Sequence, residues 1–123
     1  TLMTLAMSAT YDPDPTQTHG IQLPMDMHTC KLNHERWDSW LKHDPVHMIE
    51  DLSCQESLRS LKAVYIDCGS RDQYLIHYGA RQYVERLKAL DIAHRYDEFD
   101  DTHSSVDYRM DESLPFLFEA LAD

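Results

Sequence analysis

The segment from residue 61 to residue 103 constrains the fold most, because it carries the signals of a strand, a helix and a second strand in succession. Ala63 to Ile66 is short, apolar and rich in β-forming residues, which predicts a buried strand. Ala93 to Phe99 alternates only roughly between apolar and polar residues, which predicts a half-exposed edge strand. Between them, apolar residues recur with helical spacing at Ile76, Ala80, Tyr83, Val84, Leu87 and Leu90. Two strands joined by a helix in this order predict parallel pairing.

The residues on either side extend this unit. Leu2 to Ser8 is a near-continuous apolar run, which we interpret as a third buried strand whose outer edge lacks a partner. Ser113 is expected to cap a last helix that buries four residues. These four are Leu114, Leu117, Phe118 and Leu121. The predicted fold class is therefore α/β, with a small parallel sheet of about three strands flanked by helices.

Residues 11–60 are expected to form an excursion between the first two strands. Asn33 is positioned to cap a helix that carries Trp37 and Trp40, and Asp44 with Pro45 can begin another. Val46, Ile49 and Leu52 would face inward. The segment from Ser53 to Glu56 has the spacing of a capping box.

Composition narrows the class of protein. A chain of 123 residues with 42% hydrophobic residues suits a single domain over residues 1–123. The formal charge of −11 argues against nucleic acids and anionic membranes as partners. Cys30, Cys54 and Cys68 include no CxxC spacing, which favours reduced thiols in a cytoplasmic protein. The apolar opening is too short to span a bilayer, and its start at a threonine within an apolar run suggests part of a longer protein.

Asp72 and His103 are the candidate catalytic pair. Each comes a few residues after a predicted strand, and the carboxyl ends of parallel strands lie along one edge of a sheet. An aspartate that orients a histidine makes up two-thirds of a nucleophilic triad. A solvated surface pair is the alternative interpretation. The other candidate acids are Asp67, which we expect to bond turn amides, and the loop residues Asp100 and Asp101.

No residue has the setting of a nucleophile. Ser8, Ser70, Ser104 and Ser105 lack an activating neighbourhood, and Cys68 is expected to be a buried core thiol. Several metal-ligating side chains fall in the excursion without a recognised zinc spacing, so no metal or cofactor is predicted. They are His28, Cys30, His34, His43 and His47.

Several segments resemble the carboxyl-terminal half of α/β-hydrolases, in particular the putative-esterase branch related to esterase D and enterochelin esterase. The segments are AVYIDCGSRD at 63–72, the helix containing GAR and LKAL, YDEF at 96–99, Thr102 with His103, and YRMDESLP at 108–115. The resemblance implies a partial α/β-hydrolase fold and a serine esterase that hydrolyses a small-molecule ester. By resemblance, Asp72 in its Gly-x-x-Asp setting would be the triad acid and His103 the triad base.

The same resemblance gives the excursion a role in the substrate pocket. Tyr11 to Ser53 would form the wall of the substrate pocket. Trp37 and Trp40 fit the core of their helix, and with the missing half present they would also line an apolar acyl pocket. Asp91 stands where the family usually has a helix-ending glycine, and we expect it to adopt the left-handed conformation.

The family's Gly-x-Ser-x-Gly nucleophile elbow is absent from these 123 residues, so the chain is expected to be a fragment. A second hypothesis is a non-catalytic module. It would associate through the edge of Leu2–Ser8, either as a homodimer or with a missing N-terminal half.

Overall fold

The computed structural model describes residues 2–122, which form two compact units, one ending at Met48 and the other beginning at Ile49. The first unit contains helices α1 (Leu2–Tyr11), α2 (His34–Leu41) and α3 (Pro45–Met48). The second contains α4 (Leu52–Ser60), β1 (Tyr65–Gly69), α5 (Ile76–Ala89), β2 (Arg95–Phe99), a short 3-10 helix (Asp107–Arg109) and α6 (Met110–Ala122). No helix within residues 2–122 has the length and apolar character needed to cross a bilayer. The single domain predicted for residues 1–123 stays a prediction.

The prediction of a first strand at Leu2–Ser8 is wrong, because these residues belong to α1. A continuous apolar run does not distinguish a strand from a buried helix, and Leu, Met and Ala are strong helix formers. The Ser8 hydroxyl donates to the Leu5 carbonyl at 3.0 Å, which is a contact between successive helical turns. Within the described residues the sheet therefore has two strands instead of about three, and the edge proposed for association does not exist.

The helix caps predicted in the first unit are confirmed. Asn33 caps α2, and its side chain accepts a hydrogen bond from the Arg36 amide. Asp44 accepts one from the Val46 amide at 2.9 Å, as expected for the start of α3. Trp40 is buried and packs edge-on against Tyr11, with ring centroids 5.7 Å apart.

The second unit is built around a parallel strand pair. β1 and β2 pair in register from Tyr65 opposite Arg95 to Gly69 opposite Phe99. The predicted parallel pairing is confirmed, although both strands begin two residues later than the sequence pattern indicates.

The core of this unit lies where α5 contacts β1 and α4. Ile49, Leu87 and Ile92 are each no more than 3% exposed. Around them pack Leu58, Ile66, Tyr83 and Leu90. The periodic face of α5 thus supplies the core, except at Ile76, which is half exposed. Asp91 ends the helix at φ 52°, which confirms the predicted left-handed cap.

Two helix boundaries and several burial predictions are wrong. α4 is capped by Asp51 instead of a Ser53 capping box, because the Asp51 carboxylate accepts from the Ser53 amide at 2.8 Å. Leu52 is exposed as a result. α6 begins at Met110 and turns Phe116 toward β1, where its ring lies 5.7 Å from that of Tyr65. The opposite face of α6 is therefore exposed at Leu114, Phe118 and Leu121.

Candidate functional site

The first half of the site is the turn between β1 and α5. The chain leaves β1 at Gly69 and buries Asp72, whose side chain is 2% exposed. Asp72 Oδ1 accepts from the Tyr74 amide at 2.7 Å, and the amide of Ile76 also faces the carboxylate. These amides at the start of α5 have no acceptor within the helix, so a negative charge beside them is favourable and the local fold holds Asp72 in its ionised form.

The second half is the loop after β2, which lies directly against this turn. The Ser70 amide donates to the Phe99 carbonyl at 2.8 Å, and the Arg71 amide donates to the Asp101 carbonyl at 2.9 Å. A Cβ built on Gly69 would lie 2.6 Å from the Thr102 carbonyl oxygen and still closer to that of Asp101. The two loops can approach this closely only because residue 69 has no side chain.

The two loops bring Asp72 and His103 into contact across 31 residues of sequence. His103 Nδ1 lies 2.8 Å from Asp72 Oδ2. Because a carboxylate accepts hydrogen bonds, this geometry assigns the proton of a neutral imidazole to Nδ1. The ring is half exposed, and its Nε2 makes no hydrogen bond to any of residues 2–122. A lone pair on Nε2 is thus available to take a proton from an incoming group.

The electrostatics of Asp72 support this arrangement. Burial raises the pKa of the Asp72 carboxyl, but the hydrogen bond from His103 and the amides of Tyr74 and Ile76 outweigh that effect. The net pKa of Asp72 lies below its ordinary value. The carboxylate therefore stays charged at neutral pH and can stabilise an imidazolium at His103.

Strained backbone flanks both members of the pair. Leu75, three residues after the acid, has φ 62°, and Ser105, two residues after the histidine, has φ 60°. Neither residue is a glycine, and the left-handed conformation costs such residues about 1–2 kcal/mol. Backbone strain of this kind tends to concentrate at functional sites.

The alternative acids take other roles. Asp67 was expected to bond turn amides, which is wrong: its carboxylate accepts from Arg109 Nε at 3.0 Å. Asp100 is exposed and pairs with Arg71 at 2.7 Å. Asp101 accepts from the Thr102 amide and from the Tyr108 hydroxyl. The His103 ring is thus hydrogen-bonded to Asp72 and to none of the other three carboxylates.

Cys68 does not have the character of a nucleophile. It is buried at the end of β1, and burial raises the pKa of its thiol. The nearby carboxylates of Asp72 and Glu98 raise that pKa further. Because the thiolate is the reactive form, these surroundings keep Cys68 inert at neutral pH.

A hydrogen-bonded cluster around Arg109, beside the sheet, was not predicted from the sequence. Arg109 donates to Asp67, Asp97 and the Tyr65 hydroxyl, joining the 3-10 helix to both strands. Burial together with the Asp97 hydrogen bond raises the pKa of Tyr65 to about 12. The partners of Arg109 are up to 44 residues away and share no periodic pattern with it, so no sequence signal marks this cluster.

Trp37 and Trp40, the predicted substrate-binding residues, lie in the first unit, whereas Asp72 and His103 lie in the second. Trp40 is buried and Trp37 is about one-third exposed. Their role as acyl-binding residues stays a prediction. Within residues 2–122, no group of three or more His, Cys, Asp or Glu side chains is placed to hold a metal ion.

Comparison with known proteins does not identify the chain. No family model matches it, and no curated protein matches it. The α/β-hydrolase resemblance therefore rests on the sequence segments quoted above.

Proposed function

We propose that Asp72 and His103 are the acid and base of a serine-esterase triad, and that the chain is the carboxyl-terminal part of an α/β-hydrolase of the putative-esterase type. One observation carries the proposal: a buried, ionised Asp72 hydrogen-bonds Nδ1 of His103 at 2.8 Å and leaves Nε2 free. The pair also follows two adjacent parallel strands, which is where the members of such triads come together.

In the proposed reaction, His103 Nε2 takes the proton of a serine hydroxyl as that oxygen attacks the ester carbonyl. The same nitrogen then returns the proton to the leaving alcohol. A water molecule then attacks the acyl-enzyme carbonyl as His103 Nε2 takes its proton. His103 returns this proton to the serine oxygen as the bond from that oxygen to the acyl carbon breaks and the carboxylic acid leaves. Asp72 holds the ring in the Nδ1–H tautomer and stabilises the imidazolium at each step.

The proposal requires groups from outside these 123 residues. No Gly-x-Ser-x-Gly occurs in the sequence, so the nucleophile must come from elsewhere in the protein. The amides that stabilise the oxyanion must also come from elsewhere. The small-molecule ester substrate and the pocket role of Trp37 and Trp40 belong to this proposal.

Hydrolysis of p-nitrophenyl acetate tests the proposal. The chain on its own is expected to hydrolyse the ester no faster than its His103→Ala variant, with His28→Ala as a control at an exposed histidine. In the protein that includes the upstream coding sequence, His103→Ala is expected to lower kcat by about 10³-fold or more. An upstream sequence without Gly-x-Ser-x-Gly, or full activity in His103→Ala, would refute the proposal.

A second candidate function is a non-catalytic association module. It is favoured by the exposed face of α6, where Leu114, Phe118 and Leu121 are 58–73% exposed and follow one another at helical spacing. Exposed apolar stripes of this kind mark interaction surfaces. Light scattering should then give a mass above that of one chain, and Phe118→Glu should restore the monomer. A monomeric wild-type chain would eliminate self-association through this face.

A further inference from the structure

Three consecutive residues contact His103, each at a different point. Asp72 hydrogen-bonds the imidazole Nδ1, and the Tyr74 ring meets the imidazole edge-on, with centroids 5.0 Å apart. Between them, Gln73 Oε1 accepts the backbone N–H of His103 at 3.1 Å. We propose that Gln73 is a positioning residue that fixes the backbone of His103, so that Nδ1 stays on Asp72 and Nε2 stays open.

Burial does not hold His103 in place. Its side chain is 49% exposed, so few packing contacts restrict the ring. The orientation of the imidazole then depends on its hydrogen bond to Asp72, on the edge-on contact with Tyr74 and on the position of the His103 backbone. Asp72 holds one ring nitrogen, and Arg71 bonds the Asp101 carbonyl two residues before the histidine, but neither of them bonds the backbone of His103. The bond from the His103 backbone N–H to Gln73 restricts the movement of that backbone.

Gln73 differs from the other contacts between the two loops. Ser70 and Arg71 reach the histidine loop through their own backbone amides, which almost any residue would provide. The Arg71 side chain contacts Asp100, three residues before the histidine. Among the described residues, Gln73 is the one whose side chain accepts the backbone N–H of His103, so this contact depends on the identity of residue 73.

The inference extends the proposed function, since positioning His103 matters for catalysis only if His103 is the base. Its own test nevertheless needs no esterase activity. Two NMR measurements on the chain suffice: the hydrogen-exchange rate of the His103 backbone amide, and the ratio of Nδ1–H to Nε2–H tautomers from the imidazole ¹⁵N shifts. A lack of esterase activity in the longer protein would refute the proposed function and leave these measurements unaffected.

The variants are chosen to separate positioning from general stability. Gln73→Met keeps the length of the side chain but removes the acceptor, and Gln73→Glu keeps an acceptor oxygen at the same reach. Gln82→Met, at an exposed site on α5, is the matched control. Gln73 is itself exposed, so these variants are expected to fold; Gln73→Ala provides a further variant without the acceptor.

In Gln73→Met, the His103 amide should exchange about fivefold faster, the effect of losing one ordinary hydrogen bond. The Nδ1–H tautomer ratio should fall at the same time. Gln73→Glu and Gln82→Met should both keep the exchange rate and the tautomer ratio of the wild-type chain. Unchanged exchange in Gln73→Met would overturn the inference. Faster exchange with an unchanged tautomer ratio would overturn it as well, because Gln73 would then anchor the loop without orienting the ring.

Discussion

Gly69→Ala is the substitution that most directly perturbs the approach of the two loops. The added methyl would lie 2.6 Å from the Thr102 carbonyl oxygen and closer still to that of Asp101. Both are backbone atoms, so relief requires a movement of the histidine loop by about 1 Å or more to reach ordinary contact distance. The backbone of Gly69 is not in the left-handed region, so steric contact alone sets the cost. Overpacking of this kind costs about 1–3 kcal/mol.

Urea unfolding and the imidazole ¹⁵N spectrum measure the two consequences. We expect Gly69→Ala to lower the free energy of unfolding by about 1–3 kcal/mol and to weaken the Asp72–His103 hydrogen bond. Gly79→Ala is the matched control, because a Cβ at Gly79 in α5 meets nothing within 4 Å. That variant should gain about 0.5–1 kcal/mol from higher helix propensity. Wild-type stability and an unchanged His103 spectrum in Gly69→Ala would refute the close approach.

Two further predictions concern strain and pH. Leu75 is exposed and has φ 62°, so Leu75→Gly should raise the free energy of unfolding by about 0.5–1 kcal/mol. Leu61 is exposed and has φ −72°, so Leu61→Gly should lower the free energy of unfolding by a similar amount. Thermal unfolding compares the two variants, and an equal loss of unfolding free energy in both would contradict backbone strain at Leu75. Hydrogen bonds from Arg81 and Tyr96 lower the pKa of Glu98 to about 2. Because this folded-state pKa is depressed, the stabilisation is present above about pH 4.3 and is lost as the pH falls toward 2. In Glu98→Gln, the free energy of unfolding should fall less steeply between about pH 4.3 and 2 than in the wild-type chain. Parallel plots of unfolding free energy against pH for the two proteins would contradict the ion pair.

The second unit follows closely from its sequence. The apolar spacing of α5 and the β-rich segments on either side fix the order strand, helix, strand, and parallel pairing follows from that order. Parallel pairing in turn places the residues after β1 and β2 at one edge of the sheet. The proximity of Asp72 and His103 could therefore be predicted, whereas their catalytic role stays a prediction.

Other features depend on contacts that a sequence pattern does not carry. Leu2 to Ser8 is apolar throughout, so no alternation separates the helix observed from the strand predicted. The face that α6 buries depends on the contact of Phe116 with Tyr65, 51 residues earlier in the chain. Asp67 is a turn residue by position, but Arg109 from a distant segment takes its carboxylate. For α6 and Asp67 a tertiary contact overrides the local signal, whereas for Leu2–Ser8 the local signal is itself ambiguous.

The ¹⁵N spectrum of the His103 imidazole, in the wild-type chain and in Asp72→Asn, tests the acid–base pair most directly. We predict that neutral His103 in the wild type carries its proton on Nδ1, hydrogen-bonded to the carboxylate, with Nε2 unprotonated. The Asp72→Asn variant should shift the proton toward Nε2. A wild-type spectrum with the proton on Nε2, or one identical to that of Asp72→Asn, would contradict the pairing on which the proposed function rests.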